Sequence, residues 1–201
     1  MGRSRVIDQD QLLDAAEAVI AREGAAKLTL EAVAVQAGVS KASVTYDHKT
    51  KQGLIEALVR RALARDNAFN QAEAQRLGDA NARTVRGRIA AAANPLPPQQ
   101  RAVALNLCAA LAQDGDLRHL MQANQAAVIA AIQADAAQPR GALIAYLALE
   151  GLKLLESLDF HSFAQPDRDR LLADIEVLVE HPPAVAAVPA QPPSPQPSRR
   201  R

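Results

Sequence analysis

Ala37-Gly38-Val39-Ser40 constrains the geometry of this chain more than any other four residues. Before it runs a short apolar-periodic segment, Leu30 to Ala37, with Thr29 placed to cap its first amides. After it comes a second short segment from Lys41, opened by Ser40 as its cap. Gly38 adopts positive φ without a steric penalty, and a three-residue turn between two crossed helices requires that conformation. Ala34 is small where the two backbones must approach, and Val39 plugs the corner. Val33, Val39 and Val44 are spaced to face a common core with a preceding helix. Lys41, Ala42, Ser43, Thr45 and Tyr46 then fall on the open side of the second helix. Small, hydroxyl and cationic groups on an exposed helix suit the major groove of double-stranded DNA, although an ordinary helical hairpin with a glycine turn shares the spacing.

Composition sets the surroundings of this motif. The chain has 201 residues, 49% of them apolar, with only five aromatics, no Trp and nine Gly. Abundant Ala and Leu with few β-branched runs predicts an all-α fold. Cys108 is the single cysteine, which excludes an intramolecular disulfide framework and fits a reducing, cytoplasmic setting. No apolar run reaches the roughly 20 residues of a membrane span, so no membrane partner is expected. Arg3 and Arg5 are followed by no apolar block of the kind a secretory leader carries.

Several helices follow from the periodicity. Gln9 to Glu23 carries Leu12, Leu13, Ala16, Val19 and Ile20 on one stripe, with Gly24 as a stop. Thr50 caps a long helix running from Lys51 towards Ala74. Gly78, Gly87 and the Asn94-Pro-Leu-Pro-Pro cluster are expected to break the middle into shorter pieces. Gln99 to Ala112, Leu117 to Ala136, Gly141 to Leu158 and Asp167 to Glu180 complete the set, and no strand is expected. Residues 1–65 carry ten basic against eight acidic side chains, whereas residues 66–180 carry ten against fourteen. The mildly basic front is therefore the part expected to meet a polyanion. Residues 181–201 hold seven of the twelve prolines and end in Arg199-Arg-Arg, and the proline density predicts an extended tail outside the helical body.

Signatures of catalysis are missing from the sequence. His48, His119, His161 and His181 lie in different segments with no metal-ligand spacing, and no nucleophile elbow or glycine-rich phosphate loop occurs. No cofactor, metal or enzymatic activity is expected. Cys108, in an Ala/Leu helix, reads as a buried inert thiol.

Taken together, the Leu12-Leu-Asp-Ala-Ala helix, Ala37-Gly-Val-Ser-Lys and Lys51-Gln-Gly-Leu-Ile-Glu-Ala-Leu resemble the TetR family of transcriptional regulators. The resemblance covers the first 60 or so residues. It implies a helix-turn-helix domain over 1–65, with the motif at 29–48, a helical ligand-binding and dimerisation domain over 66–180, and a proline-rich tail over 181–201. It further implies a cytoplasmic homodimer that reads a near-palindromic operator and is released by a small-molecule effector. A helical dimer with a degenerate front, acting through protein or ligand binding, is the alternative. Position by position, the resemblance assigns Thr29 and Lys51 to phosphates, and Lys41 and Ala42 to base edges. Ser43, Thr45 and Tyr46 fall to backbone or bases. The Lys51 role is also physical, because a helix N-terminus with a lysine favours an anion. Asp47 departs from the family pattern, and an aspartate near phosphates repels unless it pairs with Lys49 or Lys51. His48 replaces an apolar side chain and is expected as a neutral, hydrogen-bonded ring.

In the body, Tyr146, Glu150 and Lys153 interrupt apolar helix faces. With Cys108, Leu111, Met121 and Asn124 on neighbouring helices, Tyr146 and Glu150 make a candidate pocket for an apolar or cationic molecule. Glu150 has an alternative in a simple pair with Lys153. Leu147, Leu154 and Leu158 on one helix, with Leu171, Ile175 and Leu178 on the next, are the candidate dimerisation residues.

Overall fold

A computed structural model describes residues 9–94 and 97–184. Among these the chain forms nine α-helices and one 3-10 turn, and no strand. They are α1 (Gln9–Glu23), the 3-10 turn Ala25–Lys27, α2 (Leu30–Ala37), α3 (Lys41–His48), α4 (Lys51–Arg76), α5 (Arg83–Ala92), α6 (Pro98–Gln113), α7 (Gly115–Asp135), α8 (Pro139–Ser157) and α9 (Gln165–Glu180). Arg3, Arg5 and the residues from 185 onward, with Arg199, Arg200 and Arg201, lie outside the described residues.

Local chemistry fixes the corner between α2 and α3. The Thr29 hydroxyl accepts from the Ala32 amide at 3.0 Å, and Ser40 Oγ accepts from the Ser43 amide at 3.2 Å. Gly38 ends α2 at φ 66°, and Val39 N–H closes the turn on Ala34 C=O at 3.0 Å. Thr50 opens α4 by accepting from the Gly53 amide at 3.0 Å. Each of these three caps satisfies a donor that a helix start otherwise leaves orphaned.

Two hydrophobic cores divide the helices. The first gathers Leu12, Val19 and Ile20 of α1, Val33 and Ala34 of α2, Val44 of α3 and Leu54 and Leu58 of α4. Leu107 of α6 and Leu117 of α7 also enter it, so the body supplies part of the floor on which the front sits. The second core contains Val85 and Ile89 of α5, Val128 and Ile132 of α7, Ala145, Tyr146 and Leu149 of α8, and Leu172, Ile175 and Val179 of α9. Helix α4 passes residue 65 without interruption. Its buried Arg61 ties it to α1, pairing with Asp14 at 2.8 Å and Glu17 at 2.6 Å and donating to Asp10 C=O at 3.0 Å.

Gly87 corrects the sequence expectation. It breaks no helix but sits inside α5, where a Cβ would fall 2.6 Å from the Ala74 amide nitrogen of α4. The glycine is there so that two backbones can touch. Gly141 plays the same part at the α8–α9 crossing, where a Cβ would meet Leu178 C=O and Val179 C=O at 2.6 Å. The start of α5 also has an unforeseen origin. Ala82 offers no side-chain cap, and Asp135 at the end of α7 accepts instead from the Thr84 amide at 2.9 Å and the Thr84 hydroxyl at 2.6 Å. Overpacking a seat of this kind costs about 1–3 kcal/mol. Gly87→Ala should therefore lower the urea midpoint of unfolding by that equivalent, and an unchanged midpoint would refute the backbone contact.

Candidate functional site

Helix α3 turns one face inward through buried Val44 and leaves the other open. Tyr46 is 86% exposed, and Ala42 and Thr45 are exposed beside it. The polar groups on this face are already engaged with the protein. Lys41 Nζ lies 3.2 Å from Glu31 Oε2 on α2, a pair open to solvent on both sides. Thr45 Oγ1 donates back to Lys41 C=O at 2.9 Å, and the Ser43 and Ser40 hydroxyls share a hydrogen bond at 2.8 Å. Thr29 spends its hydroxyl oxygen on its cap. Lys51, at the first turn of α4, donates to Ala26 C=O of the 3-10 turn at 3.1 Å, which holds its ammonium close to the α2–α3 unit. The cluster thus gathers Lys41, Tyr46 and Lys51 around the corner, with Glu31 as a carboxylate that the motif alone did not reveal. Lys49 is a further exposed cation there, at φ 28° between α3 and α4.

His48, the last residue of α3, is half-buried, and its Nε2 has no hydrogen-bond partner. That corrects the expectation of a partner at this nitrogen. Burial lowers its pKa from the usual histidine value, opposed by the neighbouring Asp47 carboxylate, so the neutral ring is the favoured form.

Polar contacts join the front to the body. Asn106 Oδ1 on α6 accepts from the Ala25 amide at 2.9 Å, one residue from the carbonyl that holds Lys51. Asp114 caps α7 through Oδ1, accepting from Leu117 N–H at 2.9 Å, and its other oxygen accepts from Gln52 Nε2 of α4.

The expected pocket residues are partly brought together. Tyr146 is buried and donates to Gln125 Oε1, and Gln125 Nε2 in turn lies 3.8 Å from Met121 Sδ. Asn124 Oδ1 accepts from Asn67 Nδ2 at 2.7 Å, and Asn67 Oδ1 accepts from Arg88 at 3.0 Å. The Arg88 guanidinium stands 5.9 Å from the Tyr146 ring centroid. Burial first, then the Glu150 charge, pushes the Tyr146 phenol up to about 12, which keeps it a neutral donor. Glu150 pairs with Lys153 at 3.1 Å. Cys108 is exposed on α6, contrary to the buried thiol expected, and the Leu111 side chain lies outside the described residues.

A cleft of about 410 Å³ opens on the other side of Arg88, lined by none of these six residues. Its walls come from α4, α5, α6, α8 and α9 and the segments between them, and include Phe69, Phe163, Arg101 and Arg168. No continuous stretch of sequence points to it, because each segment contributes only a few of its residues.

The candidate dimerisation residues separate into two groups. Leu147 and Leu154 are 60% and 53% exposed on the outer face of α8, together with open Gly151. Ile175 is only 7% exposed because it points into the second core, and half-buried Leu171 and Leu178 pack against that core. Leu158 is half-buried at the end of α8, and Val177 is the outward apolar residue of α9.

A glycine-cornered pair of short helices set on a third, joined to a separate helical body, defines a helix-turn-helix regulator. Residues 12–58 match the family model described as bacterial regulatory proteins, tetR family. Residues 82–180 match the model described as tetracyclin repressor-like, C-terminal domain. The chain belongs to the TetR family of regulators. No curated protein sequence matches it. Solved structures share the fold, among them a TetR-family member from Streptomyces coelicolor A3 with 23% identity and a TM-score of 0.60, the match covering 83% of this chain and 96% of that one. The multidrug binding protein EbrR in complex with malachite green is similar at 24% identity and TM-score 0.63, covering 85% and 96%. A transcriptional-regulator structure from Saccharomonospora viridis in complex with choline shows 17% identity and TM-score 0.67, covering 87% and 96%. No helix among the described residues is long and apolar enough to cross a membrane.

The sign of the His48 shift fixes a pH response. A histidine whose folded pKa is lowered stabilises the fold above its unfolded pKa of about 6.5 and loses that contribution as pH falls through the folded value. Wild-type protein should lose more of its urea midpoint between pH 7.5 and 5.5 than His48→Gln does. Equal losses in the two proteins would contradict the assignment.

Proposed function

We propose that this TetR-family regulator binds a near-palindromic operator as a homodimer and is released from it by a small-molecule effector. The observation that carries the reading is the open face of α3, where Tyr46 stands free of the fold beside Lys41 while Lys51 is anchored at the neighbouring corner. A short helix exposed in this way fits the major groove. Lys51, with Thr29, serves the phosphate backbone, and Lys41, Ala42 and Tyr46 face base edges, with Ser43 and Thr45 beside them. Residues 1–65 form the DNA-binding unit and 66–180 the regulatory and dimerisation unit, followed by the tail.

Dimerisation runs through the outer face of α8 and α9. Leu147, Leu154 and Val177 are large apolar side chains left exposed there, and Gly151 allows close approach of a second helix. The effector acts on the body, and similar proteins that hold choline and malachite green support a small molecule in that role. The Asn106–Ala25 and Asp114–Gln52 contacts then carry its effect, because a shift of α6 or of the α7 start pulls on the 3-10 turn and the head of α4.

The test is a salt series of binding to the DNA flanking the protein's own gene, with random DNA alongside. Affinity should fall steeply as salt rises. Lys51→Ala should weaken binding to both DNAs by similar factors and shallow the salt slope by about one unit per contact. Tyr46→Ala should narrow the gap between operator and random DNA, since base contacts discriminate by about 1–3 kcal/mol each. Two unaffected mutants would favour a helical dimer that does not bind DNA. Leu154→Arg should sediment as a monomer, and an unchanged dimer mass would reject the α8–α9 face.

A further inference from the structure

We infer that the cleft between α4, α5, α6, α8 and α9 is a binding site for an organic carboxylate with an apolar body. This names the chemistry of the effector and rests on the ligand-released reading above. Four basic side chains line the cleft, Arg88, Arg101, Lys153 and Arg168, against two acidic ones, Asp66 and Glu156, with Lys153 paired at 3.1 Å to Glu150 outside the lining.

Both carboxylates are already engaged. Glu156 takes the Arg168 guanidinium at 2.8 Å and 3.2 Å. Asp66 accepts from Asn70 Nδ2 at 2.9 Å and lies 3.6 Å from Arg88. A cationic ligand entering the cleft therefore meets no uncommitted carboxylate.

Cationic capacity is left over. Arg101 has no ion pair among the described residues. Arg168 is only 4% exposed, and its Nη1 has no hydrogen-bond partner even with Glu156 in place. A buried donor in that condition costs free energy until a ligand acceptor reaches it. The N-terminus of α6, which starts at Pro98 on the cleft wall, adds to the same sign, whereas α9, starting at Gln165, carries Asp167 in its first turn. Pro97 supplies α6 with no side-chain cap, and α6 has no acidic residue in its first turn.

The remaining wall is apolar, from Phe69, Ala91, Ala92, Pro97 and Phe163. A planar carboxylate matches the arginine fork, and the rest of the ligand covers the phenylalanines. The volume, about 410 Å³, is within the usual range for small-molecule sites.

Titration calorimetry on the full-length protein tests this with three probes of equal chain length: octanoate, octylammonium and octanol. Octanoate should bind at least about tenfold more tightly than either other probe, the difference expected for one charge-assisted contact. Arg101→Gln should lose about tenfold in octanoate affinity, and Arg101→Lys should recover part of it. Arg101 lies outside both cores, so circular dichroism should show each variant folded as wild type. Octylammonium binding as well as octanoate, no binding of octanoate, or Arg101→Gln binding it unchanged would each overturn the proposal. Operator binding measured without any ligand separates this from the function itself. Loss of octanoate binding with operator binding intact rejects only the ligand class. Octanoate binding that leaves operator affinity unaltered keeps the site and rejects ligand release.

Discussion

One helix belongs to both halves of the molecule, and that shared membership holds the arrangement together. The first turns of α4 carry Leu54 and Leu58 into the core beneath α2 and α3, while its last turns lie against the α5 backbone at Gly87. A helix is stiff along its axis, so orientation imposed at one end is felt at the other. Arg61 fastens the middle of this rod to α1. Its buried guanidinium faces Asp14, Glu17 and the Asp10 carbonyl. A buried cation deprived of such partners is strongly destabilising, so the pairing specifies position as much as it contributes energy.

Helix α6 forms a second, lighter connection. Its first turns border the cleft through Pro98 and Arg101, while Asn106 reaches the 3-10 turn before α2. Sixteen residues make a rod of about 24 Å. Leu107 meanwhile inserts into the front core. The contacts at its first turn and at its middle differ in kind. The middle has apolar packing and one amide hydrogen bond, whereas the first turn has a guanidinium with no ion pair among the described residues.

The sequence was most legible where a decision is local. Thr29, Ser40 and Thr50 act within three residues of themselves, and Gly38 needs only its own backbone, so spacing alone placed them. Gly87 was misread as a break because its reason lies on another helix, at Ala74. The capping of α5 by Asp135 was invisible on the same ground, since donor and acceptor are 51 positions apart. On α9 the apolar stripe was seen but its direction was not. Leu172, Ile175 and Val179 line the core, and Val177 lies outside. The cleft is the least legible feature. Its cations stand singly on four different helices, α5, α6, α8 and α9, and only the fold gathers them.

The helix proposed to read DNA is short. Eight residues of α3 extend about 12 Å, the rise of roughly four base pairs. Such a word recurs by chance about once in 256 positions, so a single copy of this head meets near-perfect decoys throughout any genome. In the proposed dimer, two copies at a fixed spacing square that number, to about one in 65,000. On the proposed reading, genomic address therefore resides less in the chemistry of Tyr46 than in the distance between two such heads. Whatever changes that distance, even with every side chain on α3 undisturbed, erases the address.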